Sequence, residues 1–448
     1  MNDATLTAAR AFPTLREALA VWFRIGCLSF GGPAAQIALM HREVVDQRAW
    51  VSERRFLHAL NFCMLLPGPE AQQLATYLGW LMHGVRGGLA AGLLFILPGA
   101  LVMLVLSSIY AVAGDVPLVA ALFFGLKCAV LVVVVEALIR VARRALKGRA
   151  AVVLAVLAFV ALFAFSVPFP VVVLAAALVG YLAPGHFSAG GHGAANGDRP
   201  ALLDALLEAD PGRIGRLTAA ARQAGLVAIA VWLVPVVLLV AIDAPGVWAQ
   251  IALFFSKMAV VTFGGAYAVL AYVAQEAVER QGWLTAADML AGLGLAETTP
   301  GPLILVLQFV GFLAGFAEGG LAAGMLGAGL TLLVTFAPCF AWIFLGAPFV
   351  ERLHGARKLA GALAAVTASV VGVIANLALW FGLRVLFSEL AVVTFGPVTL
   401  DLPVPASVDP AALVLALFAA ALLFALKQGI VRTLGASALA GLALRAVF

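Results

Sequence analysis

Two cations sit inside otherwise apolar stretches: Arg24 in AVWFRIGCLSF and Lys257 in LFFSKMAVVTF. On insertion scales a cation at the centre of a membrane segment costs roughly 2.5–3.5 kcal/mol. Such a residue serves a site or snorkels to the headgroups. Each lies seven residues before a glycine pair, Gly31–Gly32 and Gly264–Gly265. A hydroxyl precedes each pair, Ser29 and Thr262. It can donate to a ligand or bond back to a helix carbonyl. Further along stand two matching turns, Pro67–Gly68–Pro69 and Pro300–Gly301–Pro302. Pro33, Pro69 and Pro302 each follow a glycine. Proline suits the first turn of a helix, where its missing N–H has no partner to lose. Each break therefore predicts the start of a new half-helix. A helix start carries about half a positive charge and free N–H groups, a ready anion site. Glycine lets that backbone approach a ligand closely. Together these residues point to a doubly cationic pocket suited to a dianion.

Four carboxylates are candidates for coupling or gating. Glu43 and Glu276 lie near Trp50 and Trp283, where interfacial ion pairs beside the aromatic belt are the plainer expectation. Glu70 directly follows the first Pro-Gly-Pro and Glu297 precedes the second by three residues. Neither is matched in the other half, since Leu303 and Met64 stand opposite. Glu70 carries a proton or simply complements its helix dipole. Gln72, Gln73, Thr298, Thr299 and Gln308 are polar groups beside the breaks and candidates for cavity lining.

These residues recur because the chain repeats itself. Arg24 and Lys257, Ser29 and Thr262, Gly31 and Gly264, Glu43 and Glu276, Trp50 and Trp283, and Pro67 and Pro300 are all 233 positions apart. The copies align without a gap from Arg24 to Pro69, which signals duplication. The breaks divide 15–30 from 34–45 and 56–66 from 70–83. At ~1.5 Å per residue most of these pieces are too short to span a bilayer. They read as half-helices or re-entrant hairpins, tolerated at depth only where protein or a water-filled cavity satisfies the backbone. Longer apolar runs such as 87–114, 116–139, 226–242 and 321–345 read as full spans. The chain is 64% apolar and 11% charged, whereas soluble domains carry about a quarter charged residues.

Loop charge differs between the copies. Arg42, Arg48, Arg54 and Arg55 flank Trp50, but only Arg280 flanks Trp283. Arg140, Arg143, Arg144, Lys147 and Arg149 follow a helix of the first half, while the matching 388–410 region has no basic residue. Arg352, Arg357 and Lys358 follow the long helix of the second half, where the first half has Asp115. By the positive-inside rule the halves insert in opposite orientations. The net charge of +5 is therefore loop charge, not a nucleic-acid footprint. The expected fold is an all-α polytopic membrane protein of two inverted homologous halves, residues 1–183 and 225–448. A hydrophilic Gly/His-rich cytoplasmic linker, 184–224, joins them. His186 and His192 fall in that linker and read as solvated rather than metal-binding. Cys27, Cys63, Cys128 and Cys339 are isolated in apolar runs and read as small hydrophobes. Met1–Pro13 lacks a signal-peptide pattern, so the first membrane segment is expected to direct insertion. No GxxxxGK[ST] motif points to ATP, and no GxSxG or HExxH motif to an enzyme.

FGGPAAQIALMHREVV with the following Trp50 and LLPGPEAQQLATYLG, repeated as FGGAYAVLAYV, Trp283 and ETTPGPLILVLQFVGF, resembles the chromate ion transporter family in its long, two-domain form. The resemblance covers nearly the whole chain. It implies export of chromate across the bacterial inner membrane, with sulfate as a related oxyanion, and no enzymatic activity. Implied partners are the oxyanion and the bilayer, with a second copy of the chain as a candidate and no nucleic acid. No cofactor or metal is expected. Ala266 stands where Pro33 would recur, so strict symmetry of the site is not expected. A sulfate importer or exchanger is the alternative, and an intramembrane enzyme the remote one.

Overall fold

The computed structural model describes residues 12–114, 116–187, 201–263, 266–347, 357–396 and 398–447. Gly264 and Gly265 lie outside them, as do His192, Arg352 and Asp115. The first half runs α1 (Leu15–Leu28), α2 (Gly32–His41), α3 (Glu53–Cys63), α4 (Glu70–Ala113), α5 (Pro117–Ala145), α6 (Arg149–Phe163) and α7 (Phe169–Leu182). Then come α8 (Leu202–Ala209) and α9 (Arg213–Asp243). The second half runs α10 (Val247–Val261), α11 (Ala266–Ala274), α12 (Ala286–Thr298), α13 (Val306–Gly346) and α14 (Arg357–Leu386). The strands β1 (Leu390–Phe395) and β2 (Val398–Pro403) follow, then α15 (Pro410–Ala420) and α16 (Ile430–Val447). The protein is an all-α multi-pass membrane protein with one small antiparallel hairpin, in which Leu390 faces Pro403 and Phe395 faces Val398. Among the described residues, five helices are long and apolar enough to cross a bilayer.

The start signals are local. Thr14 caps α1 and Thr285 caps α12, each in a reciprocal box with the acid three residues on, Glu17 or Asp288. Six-residue π-helical turns, Arg42–Gln47 and Gln275–Arg280, follow α2 and α11 at equivalent positions. Beyond each, the tryptophan N–H closes onto the chain: Trp50 to the Val44 carbonyl at 2.8 Å, Trp283 to that of Ala277 at 2.9 Å.

Helix α4, at 44 residues, would be about 66 Å long if straight, twice the hydrocarbon thickness. It is not straight. His83 and Gly84 leave the helical region, Gly84 with φ +65°. The limbs on either side, 70–82 and 85–113, pack on each other: a Cβ on Gly79 would meet the Gly87 carbonyl oxygen at 2.5 Å, and one on Gly92 the Thr76 hydroxyl at 2.3 Å. Small residues let the backbones meet. Helix α13 folds in the same way at Gly319–Gly320, and a Cβ on Gly315 would meet the Ala323 carbonyl at 2.4 Å. Each is a short limb turned back onto a full span. The repeat offset grows from 233 to 236 here, because the second half inserts a 3₁₀ turn, Leu303–Leu305, before its limb. Val306, not Leu303, therefore begins the limb that Glu70 begins in the first half, and Gln308 matches Gln72.

The halves are interlocked. Helices α6 and α7 pack on α14, while α15 and α16 pack on α5. Gly180 against Gly361, Gly372 against Ala155 and Gly125 against Ser437 set these contacts at backbone distance. The principal hydrophobic cluster accordingly draws residues from both halves, Val130 and Val133 beside Phe309 and Ile374. Helices α8 and α9 occupy part of the 184–224 stretch. Leu202 and Leu203 N–H groups bond the carbonyls of Ala49 and Trp50, and Arg213 donates to the Met82 carbonyl at 2.8 Å. Residues 188–200, the Gly/His-rich core of that stretch, lie outside the described residues.

Candidate functional site

The two Pro-Gly-Pro turns cross between the halves in a reciprocal pair of bonds. Gly68 N–H donates to the Thr262 carbonyl at 2.9 Å, and Gly301 N–H donates to the Ser29 carbonyl at 2.8 Å. Each Pro-Gly-Pro turn is thus stitched to the end of the helix that precedes the glycine pair of the opposite half. The glycines are needed there. Gly68 has φ +116° and Gly301 φ +93°, while Gly31 and Gly32 stand at +83° and +79°, a region that side-chain-bearing residues rarely adopt. The stretches of the long limbs that carry Pro98 and Pro338 pack against these turns. A Cβ on Gly99, after Pro98, would come within 2.0 Å of the Pro300 carbonyl oxygen. Cys339, after Pro338, places its Sγ 2.8 Å from where a Gly68 Cβ would stand.

A small cleft lies between the turns. Pro33 and Gln36 of α2 line it with Gly68, Pro69 and Glu70. Thr262, Pro302 and Leu303 close it from the second half. Three element starts therefore face one space: those of α2, of the short limb of α4, and of the 3₁₀ turn leading into α13. Their free N–H groups make it electropositive. Its volume is about 10 Å³, about the limit for a single water. A tetrahedral oxyanion does not fit there without movement.

Amides brace the turns. Gln36 donates to the Gly301 carbonyl at 2.6 Å and Gln73 to that of Pro67 at 2.7 Å. Gln308 donates to the carbonyl of Ala100, next to Gly99, at 2.9 Å. Gln36 has no repeat counterpart, Val269 standing at its place, so duplication gave no signal for it. Its only mark is a polar residue in an apolar half-helix.

The expected site residues divide into those at the breaks and those elsewhere. The described glycines and prolines of the breaks converge. The hydroxyls of Ser29 and Thr262 are engaged with their own helices, Ser29 with the Ile25 carbonyl at 2.6 Å and Thr262 with that of Met258. It is their carbonyls that serve the crossing. Arg24 and Lys257 do not line the cleft. Both are exposed on the chain; Arg24 approaches Glu43 at 3.9 Å, and the Lys257 ammonium lies 5.7 Å from the Tyr272 ring centre. Glu43 is buried and held by Arg48 at 2.5 Å, while Glu276 pairs with Arg280 at 3.1 Å. Glu297 is buried and accepts from the Tyr267 hydroxyl. Among the described residues, Glu70 is the one ionisable group lining the cleft.

The sequence pattern that defines chromate transporters matches residues 16–181 and 249–442. The chromate transport protein of Pseudomonas aeruginosa is 33% identical over 83% of this chain and 82% of its own length. That of Cupriavidus metallidurans is 27% identical over 81% of each chain. An uncharacterized transporter of Methanocaldococcus jannaschii is 24% identical over 84% of this chain and 86% of its own. No solved structure matches the chain. With both halves matched and a relative a third identical across most of its length, this chain belongs to the chromate transporter family, a family of transporters rather than enzymes.

Proposed function

We propose that the protein is a secondary transporter that exports chromate, or a closely related tetrahedral oxyanion, across the bacterial inner membrane and thereby confers chromate resistance. One observation carries it: the reciprocal bonds of Gly68 to Thr262 and Gly301 to Ser29 gather helix starts of both halves around one cleft. Relatives named as chromate transport proteins supply the cargo. A dianion leaving a negative interior gains ~2.3 kcal/mol per charge per 100 mV, so an outward uniporter needs no ATP.

The alternating access this requires follows from opposed insertion of the two halves, with repeats in 1–183 and 225–448. Contacts at the two ends of the long limb of α4 favour that arrangement. Trp50 shares a buried cluster with Trp80, Leu81 and Met82 at one end. Tyr110 at the other end bonds Asp288, just beyond Trp283. The two tryptophan loops would then lie about 40 Å apart, the length of 26 helical residues. Gly68, Gly301 and their flanking prolines are proposed to bound the cargo site, with Gly31 and Gly32 beside them; the other expected glycines, Gly264 and Gly265, lie outside the described residues. Arg24 and Lys257 are proposed to attract the anion from outside the cleft.

Glu70 favours a second reading. An ionised carboxylate in the cleft repels an oxyanion and a neutral acid does not, so cargo and proton would bind together. That is proton-linked uptake of an oxyanion such as sulfate. Labelled chromate flux in inverted vesicles, with excess sulfate as competitor, separates the two. Flux driven by potential alone, and retained in Glu70→Gln, supports export. Flux that follows a pH gradient and disappears in Glu70→Gln overturns it in favour of symport.

A further inference from the structure

A second charged cavity lies where α5 ends and α16 begins. The last turns of α5 bring Arg140, Arg143 and Arg144 to it, and the bend between α15 and α16 adds Lys427. Its volume is about 540 Å³. Glu136 is the one carboxylate in the lining, and it is already held by both prongs of Arg140. Four cations against one carboxylate leave an excess of three charges, and no carboxylate pairs with Arg143, Arg144 or Lys427 among the described residues. Arg143 and Arg144 complement the negative end of α5. Lys427 likewise stands just past the π-helical turn Ala421–Ala425 that ends α15, at a negative helix end. Its φ of +51° is the left-handed conformation that closes such a helix end. It also lies near the start of α16, with Gly429 and Ile430 facing the cavity, so a positive helix end joins the cations. Charges of one sign collected in this way call for an anion between them.

The wall fixes the kind of anion. Ile139 and Phe424 line the cavity and are 38% and 44% exposed, which suits acyl chains rather than water. The basic end of α5 belongs on the cytoplasmic side by the positive-inside rule, facing the leaflet rich in anionic lipid. We propose that this cavity binds the phosphate of an anionic phospholipid of the surrounding bilayer, with its chains against Ile139 and Phe424.

The test uses the full-length protein in neutral detergent. Native mass spectrometry and thermal unfolding are read with added phosphatidylglycerol, cardiolipin, phosphatidylcholine or millimolar inorganic phosphate. Expected is retention of phosphatidylglycerol or cardiolipin and a raised Tm, with neither from phosphatidylcholine or inorganic phosphate. Removing three charges in Arg143→Gln/Arg144→Gln/Lys427→Gln should weaken lipid binding about a hundredfold. Arg16→Gln/Arg222→Gln, exposed cations outside the cavity, should bind as the parent does. A parent protein that holds phosphatidylcholine as firmly as phosphatidylglycerol overturns the proposal, whether or not the triple variant folds. Equal stabilisation by inorganic phosphate alone overturns the lipid in favour of a free anion, and undiminished lipid binding by a folded triple variant overturns the site.

Discussion

Gly68 and Gly301 occupy equivalent turns in opposite halves, but their surroundings differ. A Cβ on Gly68 would meet Cys339 Sγ at 2.8 Å, a fixed atom on the other half. A Cβ on Gly301 would meet the end of the Leu305 side chain at 3.1 Å, which can turn aside. Both carry backbone strain as alanine, but only Gly68→Ala adds a clash across the halves. We expect Gly68→Ala to lower chromate flux more than tenfold and Gly301→Ala less. Adding Cys339→Ala should restore part of the first and none of the second, and equal rescue of both would show that the cross-half contact is unimportant. Gln36→Leu leaves the Gly301 carbonyl without its side-chain donor, which costs about 1–3 kcal/mol where the group is buried. Thermal unfolding should report that loss, and flux should fall with it. At this scale the sequence was informative wherever duplication wrote a residue twice. The glycines and prolines were readable because their backbone role is carried by residue type alone. Gln36 was not, since Val269 holds its place. The cations Arg24 and Lys257 were visible as a matched pair, but charge in an apolar segment does not say which way the side chain turns. They lie outside the cleft, so Arg24→Gln and Lys257→Gln should each reduce flux partially, raising the chromate concentration needed for half-maximal rate.

The elements that matter most are the two hairpins hidden in apparently continuous helices. Composition marked 70–83 as a short piece, and the structure turns the chain at His83–Gly84. The second turn, at Gly319–Gly320, escaped because LAGFAEGGLAAGMLG is largely apolar and has no proline, with Glu318 its single charge at the corner. The inserted turn Leu303–Leu305 also breaks the register by which the copies were aligned. The β-hairpin was likewise not foreseen: Leu390–Pro403 alternates only weakly and is exposed in large part. At Gly320 the strain can be isolated, because nothing lies within 4 Å of a Cβ there and φ is +70°. Gly320→Ala should therefore destabilise by about 1–3 kcal/mol from backbone strain alone, and Gly320→Asn by as much, since ψ −153° lies outside the left-handed helical region that asparagine tolerates. A melting temperature left unchanged by either substitution would refute strain as the cause. Pro67→Leu and Pro300→Leu test the breaks themselves. Restoring a helix-compatible residue should let the preceding half-helix run on and pull Gly68 or Gly301 from its partner carbonyl. Flux should be lost while the protein remains in the membrane.

At the scale of the whole chain, the proposal requires that equivalent parts of the two halves face opposite compartments. The α5–α6 connection carries Arg143, Arg144, Lys147 and Arg149, and the equivalent connection carries the β-hairpin with Glu389, Asp401 and no basic residue until Lys427. The interlocked packing constrains both at once. Helix α14 lies against α5, α6 and α7, so if α5 ends inside the cell and α14 begins there at Lys358, the hairpin after α14 must emerge outside. Charge alone could be read from the sequence. That α14 belongs to one packed body with the first half could not, because the contacts join residues far apart in the chain, such as Gly180 with Gly361 and Ala155 with Gly372. Single cysteines placed at Lys147 and Phe395, in a chain whose Cys27, Cys63, Cys128 and Cys339 are replaced by alanine or serine, make this measurable. Phe395 is 71% exposed and Lys147 is exposed, so reactivity will report side rather than burial. A membrane-impermeant maleimide should label Phe395→Cys in intact spheroplasts and Lys147→Cys only after the membrane is opened. Labelling of both from one side would mean that the halves insert in parallel. Helix starts related by such an arrangement would not share a cleft open alternately to each face, and transport by rocking of one half against the other would have to be abandoned.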